Sequence, residues 1–171
     1  MQLQKQKKEI VLMSAVVCLL IIVGYFLPIQ PNALTYMFVH ANVFHLMANV
    51  IAVFLFLIAG RNEKTFFVMV LGGLFASMYA YLIYNSTIVV GASGFGFGVM
   101  GVYMVFRYRG LFRLELFKSL NFASILFAIV VGMVIPSLAG LLHLYAFAIG
   151  LLFGQLALTL DRFIHNLQQY R

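Results

Sequence analysis

The nine residues Val90–Gly98, with the sequence VGASGFGFG, interrupt an otherwise apolar chain and determine how its helices pack. Four of the nine are glycines, which permit turns and close helix contacts that side chains prevent. Ser93 lies among them at the expected start of a helix, where backbone N–H groups lack partners inside the helix. A serine there can act as a nucleophile beside backbone donors, but small residues in membrane helices also form packing surfaces. The stretch by itself leaves catalysis and packing open.

The composition of the chain excludes an ordinary soluble domain. Of its 171 residues, 64% are hydrophobic and only 9% are charged, and the mean hydropathy is +1.06. The length corresponds to one domain. The long uninterrupted apolar runs predict membrane-spanning helices instead of the alternating strands of a barrel. Cys18 is the single cysteine, so no internal disulfide is possible, and it is expected to be a small buried residue.

Six apolar segments are each predicted to form one membrane span. Their bounds are Ile10–Leu27, Ala41–Gly60, Thr65–Tyr84, Ser93–Phe106, Leu116–Ile135 and Leu138–Leu160. We therefore predict an all-α bundle of six transmembrane helices over residues 10–160, with a basic segment 1–9 before it and a tail 161–171 after it. The first run lacks the small-residue site that ends a cleaved signal peptide, so it is expected to be retained.

The charged residues predict the orientation of this bundle. All eleven Lys and Arg residues lie before span 1, between spans 2 and 3, between spans 4 and 5, or after span 6. With six spans these segments share one side, and the positive-inside rule makes that side the cytoplasm. Both termini are thus expected in the cytoplasm of a cell (plasma or inner) membrane, with Ser93 toward the outer side. The net charge of +7 is explained by orientation, and no nucleic-acid partner is expected.

Three polar residues are expected near the depth of Ser93. His45 and Asn49 are four residues apart and share one face of span 2, and His143 lies near the outer end of span 6. A histidine can accept the serine proton without help from an aspartate. Single polar residues in spans also join helices by hydrogen bonds, so this pattern is compatible with either role.

Small residues predict that spans 4 and 6 touch. Span 6 carries Ala146, Gly150 and Gly154 at a spacing of four, and span 4 carries Gly94, Gly98 and Gly101 nearly along one face. Faces of this kind let two helices pack backbone to backbone. Such a contact would bring the histidine of span 6 against the serine of span 4.

Three motifs taken together resemble the rhomboid family of intramembrane serine proteases. They are HxxxxHxxxN from His40 to Asn49, GxSG from Gly91 to Gly94, and His143 followed by small residues. The resemblance implies that Ser93 is the nucleophile and His143 the general base. It also implies an oxyanion site made by His45, Asn49 and the backbone N–H of Ser93.

The resemblance further assigns supporting positions: His40, Gly91, Gly94, Phe97, Gly101 and Gly150. It implies that Gly91 starts the nucleophile loop, that Phe97 packs on the catalytic histidine, and that Gly101 lies where span 6 crosses span 4. One departure concerns the loop after span 1, where the family often has Trp-Arg and this chain has Pro31 and Asn32. How this loop braces the bundle is therefore open.

The predicted function is an intramembrane serine endopeptidase that cleaves transmembrane protein substrates within the lipid bilayer. Span 5 and the loop Pro136–Gly140 are expected to act as a gate and lid. No metal or cofactor is expected, because three histidines on two spans without acidic partners make a poor zinc site. Two other readings are an inactive rhomboid-like protein that binds membrane clients, and a small transporter or channel. The sequence identifies neither the substrate nor the oligomeric state.

Overall fold

A computed structural model describes residues 2–60, 62–84, 89–111, 113–134 and 139–169, and contains no β-strand within these ranges. The helices are α1 Gln2–Tyr25, α2 Val43–Ile58, α3 Glu63–Tyr84, α4 Ser93–Tyr108, α5 Leu114–Phe117, α6 Leu120–Val134 and α7 Gly140–Gln169, with a 3-10 turn at Tyr36–Phe38. The predicted all-α class is confirmed for these ranges. Arg61, Arg171, the end of span 5 at Ile135, the start of span 6 at Leu138 and most of the predicted lid lie outside the described residues.

Three of the described helices are long and apolar enough to cross a membrane: Gln4–Tyr25, Glu63–Tyr84 and Gly140–Gln169. Helices α2, α4 and α6 are shorter, with 16, 16 and 15 residues. Large apolar side chains such as Leu12, Phe127 and Leu152 are more than 60% exposed, which suits a surface that faces lipid. The count of six spans and the orientation of the termini stay predictions.

Most helix ends lie within two residues of the predicted bounds, and the larger differences are at three places. Helix α1 begins at Gln2, before the predicted Ile10, and α7 continues to Gln169, past Leu160, because Lys, Gln and Leu are good helix formers outside an apolar run too. The predicted span 5 is divided into α5 and α6. At the division Ser119 Oγ accepts the backbone N–H of Phe122 at 3.1 Å, as a residue that starts a new helix does.

Helix α4 is the centre of the bundle and packs against α2, α3 and α7. Its side chains Val99, Val102 and Met104 are completely buried. Its closest neighbour is the backbone of α7: a Cβ added to Gly101 would lie 2.5 Å from the Phe147 carbonyl oxygen. Since only glycine fits there, α4 and α7 meet backbone to backbone, and the first residue of α4 lies beside the first turns of α7.

The far end of α4 is held by charged groups. Lys64 at the start of α3 forms an ion pair with Asp161 of α7. The Arg162 side chain donates to the backbone carbonyl of Arg109, just past α4, at 2.7 Å. Charged residues from three helices therefore gather at the opposite end of α4 from Ser93.

Candidate active site

The turn before α4 has a backbone that only glycine adopts easily. Gly91 has a φ of +112°. A Cβ at this position would lie 2.6 Å from Cε1 of His45 and 3.1 Å from Nδ2 of Asn49. Because Gly91 has no side chain, His45 and Asn49 of α2 can lie directly against the turn that leads to Ser93.

Ser93 and His143 are hydrogen-bonded. Nε2 of His143 lies 2.8 Å from Oγ of Ser93, although the two residues are 50 positions apart. The His143 ring is buried and stacks on Phe97, with centroids 4.4 Å apart and planes inclined by 15°. In the tautomer with a bare Nε2, the imidazole accepts the hydroxyl proton, which is the arrangement of a nucleophile with its base. Ser93 is half-buried and so accessible.

No carboxylate is available to this pair. The chain has four acidic residues, Glu9, Glu63, Glu115 and Asp161, all of which the structure describes, and none of them forms an ion pair or hydrogen bond with Ser93 or His143. The arrangement is therefore a dyad, and the imidazole is oriented by its stack on Phe97. Among the described residues no group of three or more His, Cys, Asp or Glu is arranged to hold a metal ion.

Asn49 presents a buried donor without a partner. The residue is 8% exposed, and its Nδ2 makes no hydrogen bond within the described part of the chain. Leaving such a group unpaired costs about 1–3 kcal/mol, so this donor, close to the turn that leads to Ser93, is available to an acceptor oxygen. Nε2 of His45, one helical turn away on α2, would lie 2.8 Å from the same Cβ added to Gly91.

His40 holds the turn before Ser93 by hydrogen bonds. Its Nε2 accepts the backbone N–H of Ala92 at 3.3 Å, and its Nδ1 donates to the Phe38 carbonyl at 3.4 Å. These two bonds fix a neutral imidazole with its proton on Nδ1. Burial lowers the pKa of His40 below its usual 6.5, which favours the same neutral form. The ring of His40 also meets that of His45 edge to face at 5.3 Å.

Gly94 and Gly150 are packing positions. A Cβ on Gly94 would collide with the hydroxyl of Tyr36, and one on Gly150 would collide with the carbonyl of Gly98. Both glycines therefore allow approaches that any side chain would prevent. The structure brings together all the residues that the sequence singled out around Ser93, while their chemical roles stay predictions.

Tyr36 also holds the turn, and sequence reasoning missed it. Its carbonyl accepts the N–H of Gly91 at 3.1 Å, and its hydroxyl lies 2.7 Å from Oγ of Ser77 on α3. The ring is 1% exposed and stacks on Tyr81, and burial raises the pKa of Tyr36 to about 12. The sequence offered one indication of this contact: Ser77 is a polar residue in an apolar helix, where its hydroxyl needs a hydrogen-bond partner.

The loop after α1 is braced by its own backbone. Oδ1 of Asn32 accepts the N–H groups of Leu34 and Thr35 at 2.9 and 3.1 Å. The Thr35 hydroxyl donates to the carbonyl of Gln30 at 2.6 Å. This local turn around Asn32 shows how the loop is ordered with Pro31 and Asn32 in place of Trp-Arg.

Comparison with known proteins gives one result at the level of the family. A family model described as the Rhomboid domain matches residues 31–160. The match covers about three quarters of the chain and includes the polar residues of α2, Ser93 and His143. No curated protein and no solved structure matches the chain. From the extent of that match, the chain belongs to the rhomboid family, whose members are membrane-embedded.

Proposed function

We propose that this protein is an intramembrane serine endopeptidase that cleaves peptide bonds in or beside transmembrane segments of other membrane proteins. The single observation that carries the proposal is the 2.8 Å hydrogen bond between Oγ of Ser93 and Nε2 of His143. Membership of the rhomboid family supports it, because the family is typically composed of intramembrane proteases.

In the acylation step, Oγ of Ser93 attacks the carbonyl carbon of the substrate peptide bond. Nε2 of His143 takes the hydroxyl proton as the new C–O bond forms. The tetrahedral intermediate then collapses, the C–N bond breaks, and the leaving amine takes that proton from His143. The product of this step is an acyl-enzyme ester on Ser93 and a released amine.

The negative charge on the intermediate oxygen needs fixed donors. Nδ2 of Asn49, Nε2–H of His45 and the backbone N–H of Ser93 are the candidates. The first lacks a partner among the described residues, and the last is at the first residue of α4, where the helix supplies no acceptor. Donors that need no rearrangement stabilise such an intermediate most effectively.

In the second step, water attacks the ester carbonyl of the acyl-enzyme. His143 takes a proton from the water and returns it to Oγ of Ser93 as the C–O bond to the serine breaks. The carboxylic acid product leaves and the dyad is restored. This step uses the same donors as acylation.

Substrate access is proposed between α2 and α6. A groove of about 390 Å³ separates these helices and is lined by Leu55 of α2, Met100 of α4 and Ile125 of α6. Phe97, which stacks on His143, lines the same groove. An apolar entry next to the dyad suits a transmembrane segment that unwinds easily. Cross-linking α6 to α2 is expected to stop cleavage of a membrane substrate, and unchanged cleavage would contradict this path.

The direct test is labelling of the full chain in detergent with a serine-directed fluorophosphonate. Wild type and Ser14→Ala should label equally, since Ser14 is a buried serine on α1 that bonds the carbonyl of Ile10. Ser93→Ala and His143→Ala should not label. Labelling that persists in Ser93→Ala, or is absent from a folded wild type, would refute the proposal.

An inactive rhomboid-like protein that binds membrane clients is the alternative. It predicts that the chain is neither labelled nor able to cleave, while it still captures its clients.

A cell-membrane location with both termini in the cytoplasm is proposed as well, supported by the charge pattern. Fusions at the C-terminus test it: green fluorescent protein should fluoresce there, and alkaline phosphatase should be inactive.

A further inference from the structure

A cavity lined by charged and apolar residues lies at the end of the bundle that is opposite Ser93. It has a volume of about 610 Å³ and is formed by the start of α3, the end of α4 and the C-terminal part of α7. This size is within the range of small-molecule sites. Ser93 and His143 do not line this cavity, and it shares only Ala59 and Tyr103 with the proposed substrate groove.

The charged lining of this cavity is not balanced. Lys64, Arg107, Arg109 and Arg162 line it together with one carboxylate, Asp161. Asp161 is paired with Lys64. Within the part of the chain that the structure describes, none of the three arginines forms an ion pair, although Glu115 lines a neighbouring pocket with Arg107 and Arg109. The residues that line the cavity carry four positive charges and one negative charge, a net charge of +3.

The arginines are arranged for an anion with several oxygens. Arg162 uses one N–H group on the carbonyl of Arg109, which holds its guanidinium at the cavity wall while the other N–H groups stay available. The Arg107 guanidinium lies 6.0 Å from the ring centroid of Tyr108, and it forms no ion pair or hydrogen bond with another described residue. Guanidinium groups bind phosphate oxygens in pairs, with a geometry that a lysine does not offer.

Orientation in the membrane does not explain the shape of the site. Exposed lysines such as Lys7 and Lys8 on α1 orient a chain in the membrane as well as arginines do, because the positive-inside rule counts both residue types. The three arginines instead line a concave space together with apolar residues, among them Phe106 and Leu158. A lining of arginines and apolar side chains fits an anionic group that is carried on an apolar body, and it also admits a free anion.

We propose that this cavity binds a phosphate group, either that of an anionic phospholipid headgroup or soluble phosphate. The proposal does not depend on the protease activity, because it concerns the opposite end of α4. Arg107, Arg109 and Arg162 would hold the phosphate oxygens, and the Lys64–Asp161 pair would close one side of the site.

The test uses the full chain in detergent, titrated with phosphatidylglycerol or phosphatidylcholine and followed by native mass spectrometry. Wild type should prefer phosphatidylglycerol. The variant Arg107→Gln should bind it about tenfold more weakly, as expected for the loss of one charge-assisted contact. The triple variant Arg107→Gln/Arg109→Gln/Arg162→Gln should show no preference.

A charge-matched control is Lys5→Gln/Lys7→Gln/Lys8→Gln, which loses three positive charges on α1 and should keep the preference. Elution volume and unfolding temperature verify folding of each variant. Should the triple arginine variant fail to fold, Arg107→Gln decides the matter, since Arg107 is exposed and makes no hydrogen bond to another described residue.

Inorganic phosphate separates the two sources. If the lipid preference is present and phosphate leaves the unfolding temperature of wild type unchanged, the ligand is a lipid headgroup. If phosphate raises that temperature in wild type but not in the arginine variants, and no lipid preference exists, the ligand is soluble phosphate. The proposal is overturned if neither probe binds, if the arginine variants bind like wild type, or if the lysine control loses as much as the triple arginine variant.

Discussion

Replacing Gly101 by alanine adds one methyl group at the point where α4 touches α7. The three atoms nearest to the new Cβ are all backbone atoms of α7: the carbonyl oxygen of Phe147 at 2.5 Å, the nitrogen of Leu151 at 2.7 Å and the carbonyl carbon of Gly150 at 2.9 Å. Backbone atoms inside a helix cannot turn away as a flexible side chain does. The helices must therefore move apart.

The size of this movement follows from the distances. Ordinary contact begins at about 3.4 Å, so the two helices must separate by about 0.9 Å at Gly101 to relieve the 2.5 Å approach. Transmitted along α4 and α7, the same shift would lengthen the 2.8 Å bond between Ser93 and His143 to about 3.7 Å, beyond hydrogen-bond range. A misplacement of about 1 Å costs about 10²-fold in rate, or about 2.7 kcal/mol of activation free energy.

The assay is the rate of fluorophosphonate labelling and of cleavage of a transmembrane reporter in proteoliposomes, with unfolding measured on the same samples. Overpacking should lower the free energy of unfolding of Gly101→Ala by about 1–3 kcal/mol. The matched control is Gly96→Ala on the same helix, whose Cβ would meet only Cγ2 of Val53, at an ordinary 3.5 Å. It should retain full activity and gain about 0.5–1 kcal/mol from the lost backbone freedom of glycine.

The reasoning is refuted if Gly101→Ala stays folded and reacts as fast as wild type and Gly96→Ala. That result would mean that the backbone contact between α4 and α7 does not set the geometry of the dyad.

Three further predictions concern the groups around the turn at Gly91 and Ala92, before Ser93. Asn49→Ala should lower kcat by about 10²–10³-fold, as for an oxyanion donor, with little change in unfolding temperature because its Nδ2 is unpaired among the described residues; equal losses of activity and folded fraction would contradict this. Tyr36→Phe should destabilise the protein by about 1–3 kcal/mol in a denaturant titration, since the buried hydroxyl of Ser77 loses its partner, and adding Ser77→Ala should recover part of the loss. Burial holds the pKa of His40 below 6.5, so the folded state binds fewer protons than the unfolded state, and stability should fall as the pH drops below 6.5. His40→Gln keeps an acceptor for the N–H of Ala92 and should show a shallower pH slope in thermal unfolding; an unchanged slope would exclude His40 as the source.

The sequence predicted best the features that depend on residues close together in the chain, such as helix ends and residues that share a helix face. The predicted start of the fourth span at Ser93 and the end of the third at Tyr84 coincide with the ends of α4 and α3. His45 and Asn49 share a face because the helical repeat alone puts them there. The closeness of Ser93 to His143 could also be anticipated, since glycine faces on two helices restrict how those helices meet.

Contacts between distant segments could not be predicted in the same way. Tyr36 and Ser77 are 41 positions apart, and nothing in the loop residues around Tyr36 indicates which helix will receive its hydroxyl. The break between α5 and α6 depends on the side chain of Ser119, which bonds both the N–H of Phe122 and the carbonyl of Leu116. Hydropathy contains no information on such a hydrogen bond, so the hydropathy pattern predicted one continuous span where the structure has two helices.

The hydrogen bond between Ser93 and His143 has a consequence for biosynthesis. It joins α4 to α7, which is synthesised after α4, across 50 positions of sequence. Until α7 has been synthesised and inserted, Ser93 therefore lacks its partner His143. Only the packing of α7 against α4 creates the pair, so the proposed protease activity would arise only after α7 has joined the bundle.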